Sequence, residues 1–314
     1  MLLSSLNNPP STEQPTPENT QTQTIATLTQ DTVEPNLTAT PKSTLTLAST
    51  LTPTPLPTEI TDAKDVEMAL VPAGEFIMGS DDGKDDEKPA HTVYLDAYYI
   101  DKYEVTNAAY KVCVDAGVCQ PPKLTIHSGA SDNSVYYGNS KFDNYPVIFM
   151  DWFSANAYCE WREASLPTEA QWEKAARGTD ERLYPWGDEI SCDKANYSVT
   201  YRYGCSRDTS EVGSYPRGVS PYGVYDLVGN VSEWVADWYS ATYYQISPQS
   251  NPQGPDSGQY RVLRGGWWFD YYHEHFISTS RNKAEPNYSG EYFSRIVGSG
   301  YEAIGFRCAK DATP

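Results

Sequence analysis

The first 63 residues contain no aromatic side chain, no glycine, no cysteine and a single basic residue, Lys42. Thr, Pro, Ser and Gln dominate. Such a stretch cannot bury enough apolar surface to offset the cost of ordering the chain. Any core must therefore come from residues 64–314. The expected organisation is a disordered Thr/Pro-rich linker or stalk over 1–63 and one folded domain over 64–314. Tracts of this composition are commonly extracellular stalks. Met1-Leu2-Leu3 is too short for a signal h-region and lacks a basic n-region, and no run of eighteen apolar residues is present to span a membrane. An unseen upstream signal or anchor, or a tethered signalling domain, is the expectation that follows.

All six cysteines fall in the second part, at 113, 119, 159, 192, 205 and 308. An even count behind an extracellular-type stalk reads as disulfides in an oxidising compartment. Three bridges allow fifteen connectivities. Close spacing singles out Cys113 with Cys119 and Cys192 with Cys205, which leaves Cys159 with Cys308 as a long-range tie. A zinc site is disfavoured, because no CxxC occurs and the chain has only 4 His.

Net charge is −19, from 42 acidic and 23 basic side chains. Nucleic acid and anionic membranes need clustered Lys and Arg, so neither is an expected partner. The 25 Tyr and 8 Trp suit recognition surfaces as well as a loop-rich core.

Along the folded part, MALVPAGEFIMGS reads as two short strands around a turn. DDGKDDE (81–87) reads as a solvated acidic loop. HTVYLDAYYIDKYEVT alternates like one half-buried strand, with His91 structural or exposed. Thr106 caps a helix from 107 to about 116, ended by Gly117. Residues 121–144 have no period and read as a long surface loop of the kind that carries binding function. A second helix spans about 153–163, where Phe153, Ala157 and Trp161 share a face. Thr168 opens a third, with Gln171 closing a capping box, Trp172, Ala175 and Ala176 as its buried stripe and Gly178 as its stop. RVLRGGWW and AIGFRCAK read as strands.

The stretch YGVYDLVGNVSEWVADW (222–238) concentrates the chemistry. Asp226, Gly229, Asn230 and Glu233 bring two carboxylates and a flexible backbone near one point, as an oxygen-ligated calcium site needs. The bland alternative is a turn in which Asn230 caps a short helix and Glu233 closes the box.

VPAGEFIMGS, YEVTNAAY, LPTEAQWEKAARG, YPWG, VGSYP, YGVYDLVGNVSEWVADW, RVLRGG and IGFRCA together resemble the sulfatase-modifying factor family, the formylglycine-generating enzymes and their relatives, in the family's order. The resemblance implies a single α/β domain, α+β-like and low in regular structure, distantly related to C-type lectins. It also implies the Cys159–Cys308 bridge, while a second family disulfide would use the position of Ala176. Calcium would take side-chain oxygens of Asp226 and Glu233 and the carbonyls of Gly229 and Val231. A second calcium would start at Asn196 and the Tyr197 carbonyl, with Asp208 as a candidate acidic ligand.

One departure from the family bears on activity. The oxygen-using members carry two cysteines after the paired glycines, where they bind copper and engage the substrate cysteine. Here the segment reads GGWWFDYYHEHFISTSRNKAEP, and no cysteine stands between Cys205 and Cys308. Thiolate selects Cu(I), so no copper is expected. The reading that results is a non-catalytic, calcium- and disulfide-stabilised domain, a pseudoenzyme outside the cytosol. A groove of Trp267, Trp268, Phe269, Asp270, Tyr271, Tyr272, His273 and His275 would bind a peptide or glycan. The alternative is a family oxidoreductase that converts a protein cysteine to formylglycine, or an iron-dependent variant. In a strand, His273 and His275 would share one side, with Asp270 or Glu274 as a third ligand. Arg281 and Arg307 would orient a ligand carboxylate or support the fold.

Overall fold

The computed structural model describes residues 55–126, 135–200, 203–270, 272–290, 292–295 and 298–312. Regular structure starts before residue 64. Strand β1 (Glu59–Thr61) pairs antiparallel with β2 (Glu67–Val71), so the expected linker boundary lies a few residues too late. β3 (Gly74–Met78) and β4 (His91–Leu95) form a hairpin of their own. β5 (Tyr98–Asp101) returns to β2. The single strand expected over HTVYLDAYYIDKYEVT is thus two strands in two sheets, broken at Asp96 and Ala97. The acidic loop closes on a short turn, Asp85–Glu87, whose Glu87 is buried and accepts from the Thr279 hydroxyl at 2.6 Å.

Helix α1 (Asn107–Asp115) starts at Thr106, whose side chain accepts from the Ala109 N–H. Helix α2 (Trp152–Trp161) starts at Asp151, capped by its carboxylate. It buries Ala155, Tyr158 and Cys159, and of the Phe153–Ala157–Trp161 face it leaves Phe153 exposed while Trp161 packs at the edge of the core. Helix α3 (Glu169–Arg177) carries the full Thr168–Gln171 capping box and buries Trp172, Ala175 and Ala176. Gly178 ends it at φ 70°.

Two short strands, β6 (Ser198–Thr200) and β7 (Tyr203–Gly204), precede β8 (Ser232–Trp238). Then come β9 (Arg261–Arg264), β10 (Asn282–Ala284), the hairpin β11 (Tyr292–Arg295) and β12 (Gly298–Tyr301), β13 (Ile304–Phe306) and β14 (Ala309–Asp311). One four-stranded sheet runs β1-β2-β5-β14 and the other β10-β9-β8-β13, with β8 and β13 parallel. β13 and β14 fall in different sheets, so the C-terminal run ties the two together. One core packs Val71, Phe76 and Ile100 against Trp172 of α3, and another packs Tyr110 and Tyr158 of the first two helices against Trp234 and Phe306. The result is a mixed α/β domain with short strands, three helices and long connections among the described residues.

The bridges are Cys113–Cys119, Cys159–Cys308 and Cys192–Cys205, as expected, and no free cysteine remains. Three disulfides suit an oxidising compartment. No helix among the described residues is long and apolar enough to cross a membrane.

Candidate functional site

The signature stretch is a strand, not a capped helix. Asp226, Gly229 and Asn230 take φ of 56°, 75° and 59°, a run of left-handed residues that turns the chain into β8. Asn and Asp tolerate that region better than other side chains. Gly229 has a further constraint: a Cβ there would lie 2.1 Å from the Asn196 carbonyl oxygen.

Asn230 is the hub. Its N–H donates to Asn196 O at 2.8 Å, and its Oδ1 accepts from Ser210 N at 2.8 Å. Its Nδ2 donates to Glu104 Oε2 at 2.6 Å, and Glu104 Oε1 accepts from Val231 N at 3.2 Å. Burial, with Asp226 and Glu233 nearby, pushes the Glu104 carboxyl well above the usual carboxylate range. Burial likewise raises Asp226, to about 6. Asp226 Oδ2 accepts from Gly213 N at 2.6 Å, and its Oδ1 makes no hydrogen bond among the described residues.

Glu233 faces another way. Its carboxylate accepts from Arg307 Nε at 2.7 Å and Nη2 at 2.6 Å, and from the Trp172 indole at 2.9 Å. Arg307, fully buried, is therefore a fold-supporting residue. Arg281 and Arg264 are the same, both locked on Glu169. Asn196 and Asp208 come together, since Asn196 Nδ2 donates to Asp208 O at 2.9 Å. Asn196 Oδ1 is buried without a partner, and the Tyr197 carbonyl accepts from Cys205 N.

The aromatic segment after β9 is only partly a surface. Trp267 and Trp268 are 8% and 4% exposed and pack with Tyr136, Phe142 and Phe149. Their faces serve the core instead of an open groove. Phe269 is half-buried, Tyr272 and His273 are exposed, and Tyr271 lies outside the described residues. His273–His275 is a single turn of 3-10 helix, not a strand. With three residues per turn, side chains two apart point different ways. His273 packs on Tyr197, while His275 bonds Asp270 at 2.7 Å. The two histidines thus do not share one side as a strand would place them. Among the described residues no three His, Cys, Asp or Glu side chains converge as a metal cluster.

Glu104, the Glu233–Arg307 pair and the Asp270–His275 contact went unread in sequence. Each joins residues without a local signal, except the last, whose partners stand five apart.

This two-sheet, disulfide-tied domain with a left-handed turn leading into β8 defines a fold class. The sulfatase-modifying factor enzyme 1-like domain family matches residues 54–312, and the chain belongs to that family. The formylglycine-generating enzyme of Streptomyces coelicolor (strain ATCC BAA-471 / A3(2) / M145) is 34% identical over 293 residues, covering 77% of this chain and 88% of that protein. The serine/threonine-protein kinase pkn1 of Chlamydia pneumoniae is 37% identical over 255 residues and 78% of this chain. This chain spans only 38% of the length of that relative. The solved structure of PvdO from Pseudomonas aeruginosa has a TM-score of 0.62 at 27% identity, covering 83% of this chain and 100% of that one.

Proposed function

We propose that this chain is a ligand-binding domain of the sulfatase-modifying factor fold that works outside the cytosol, in an oxidising compartment. In this reading it does not convert a cysteine to formylglycine. The carrying observation is that disulfides consume every cysteine. A copper centre of the thiolate kind finds no donor here, and no free thiol is present to engage a substrate cysteine. The ligand class is peptide or glycan. The second reading, a family oxidoreductase, is favoured by the 34% identity to a formylglycine-generating enzyme across most of its length. Mass spectrometry separates the two. A cysteine-containing sulfatase-motif peptide, incubated with the protein, copper and oxygen, is expected to emerge unchanged. Loss of its thiol with gain of an aldehyde would overturn the binding-domain reading.

We further propose structural calcium at two points. One uses Asn196 Oδ1 and the Tyr197 carbonyl, with Asp208 close by. What supports it is that Asn196 Oδ1 is a buried acceptor with no partner, a costly state that a cation relieves. The other uses Asp226, with Oδ1 uncommitted, and the carbonyls of Gly229 and Val231. Glu233 contributes there only so far as its Arg307 pair allows. A ligand of the native state must raise its stability, by about 2.7 kcal/mol at a hundred times Kd. The melting temperature is expected to rise in calcium relative to chelator, with part of the rise lost in Asn196→Ala. An unchanged midpoint at saturating calcium would sink both sites.

A further inference from the structure

We infer that His275 and Asp270 form a hydroxyl-binding site and that its ligand is polyhydroxylated, of the glycan class. The inference rests on the binding-domain reading and deepens it. Asp270 is held from three directions. Its N–H donates to Trp267 O at 2.9 Å, its carbonyl accepts from Ser198 N at 3.0 Å, and its Oδ1 accepts from Tyr272 N at 3.1 Å. Its Oδ2 meets His275 Nδ1 at 2.7 Å. A carboxylate only accepts, so Nδ1 carries a proton, and in the neutral imidazole Nε2 then carries the lone pair. The imidazole is one-third exposed, so the ring is within a ligand's reach.

His275, Asp270, Ser232, Ser280 and Asn282 line a cavity of about 10 Å³. That is room for about one water or one hydroxyl group. The Ser232 and Ser280 hydroxyls make no hydrogen bond within the described fold. Gly266, at φ 71°, shapes the wall, since a Cβ there would meet the Phe276 ring at 2.8 Å. The Asp270–His275 pair and two serines thus line a single oxygen-sized space.

Leu263 and Asn282 also border a groove of about 610 Å³, lined further by Lys283, Glu285, Asn287 and Tyr288. Donors and acceptors of both signs with one aromatic ring match a sugar's hydroxyls and its apolar face. An extended peptide would seek backbone groups on the edge strand β10. The Lys283 N–H there is already given to Asn282 Oδ1 at 2.8 Å. This favours a glycan over a peptide.

The test is nitrogen NMR of ¹⁵N-imidazole-labelled protein at pH 8, alone and with maltotriose, cellotriose and N-acetylchitotriose. Expected in the free protein is an unprotonated Nε2 on His275, with the tautomer balance shifted by Asp270→Asn. One trisaccharide is expected to move the Nε2 signal. His275→Ala should weaken its binding at least tenfold, while His273→Ala should not. A proton found on Nε2, or no trisaccharide binding, overturns the inference. Binding undiminished in His275→Ala also overturns it, yet leaves the binding-domain reading in place. Aldehyde formation on the cysteine peptide would remove that reading without touching the tautomer result.

Discussion

Asp237, on β8, is a carboxylate placed where charge is expensive. It is 3% exposed, and its Oδ2 accepts from the Glu169 N–H at 2.7 Å, at the first turn of α3. Arg264 and Arg281 are close, but their guanidiniums are spent on Glu169 and Glu173. Burial, and then the Glu169 charge, push the Asp237 carboxyl up to about 7. The folded value lies above the unfolded one, near 3.9. Between about pH 4 and 7 the native state therefore holds a proton that the unfolded chain has lost, and stability falls as pH rises through that window. Asparagine keeps an acceptor for the Glu169 N–H without the charge. Asp237→Asn should be more stable than the parent at pH 8, by on the order of 1 kcal/mol or more. The gain should shrink by pH 5. Urea unfolding at both pH values checks this, and a gain independent of pH would exclude ionisation as its cause.

At the scale of elements, legibility followed how local the determinants are. The α3 capping box lies within four residues, and both the box and its buried stripe read correctly. The same logic failed at Asn230 and Glu233, which have the right spacing for a box. Glu233 is instead claimed by Arg307, 74 residues away, and Asn230 by Glu104, 126 residues away. A buried pair of that kind overrides a cap worth roughly 1 kcal/mol. β8 itself carries no alternation: helices α2 and α3 pack against it, and five consecutive residues up to Ala236 show almost no exposed side. Strand periodicity needs one wet face. HTVYLDAYYIDKYEVT failed in the opposite sense: alternation ran on through Asp96 and Ala97, where the chain changes sheets. Of the site, the turn into β8 was legible from its Gly and Asn. The Asp270–His275 pair was not, since a strand parity was assumed for what is a 3-10 turn.

For the whole molecule, the question is what holds the last strands to the middle of the chain. Cys159 on α2 meets Cys308 between β13 and β14, across 149 residues. Beside it the Arg162 side chain pairs with Asp101 on β5, at 2.6 and 2.8 Å, and with Asp62. Asp101 in turn accepts from the Cys308 N–H at 2.9 Å. The covalent tie and the buried ion pair therefore clamp α2, β5 and the C-terminal run at one point. The two act differently. Arg162 acts in the folded state alone, whereas the bridge also restricts the unfolded chain. In the chain-entropy account a closed loop of about 150 residues is worth about 5 kcal/mol, against less than 3 for a loop as short as that of Cys113–Cys119. Replacing Cys159 and Cys308 together by serine should cost 2–5 kcal/mol in urea unfolding, more than the same change at Cys113 and Cys119. Equal losses from the two pairs would mean that the Arg162 clamp already secures the C-terminal strands, and that the long bridge stabilises no more than a local staple does.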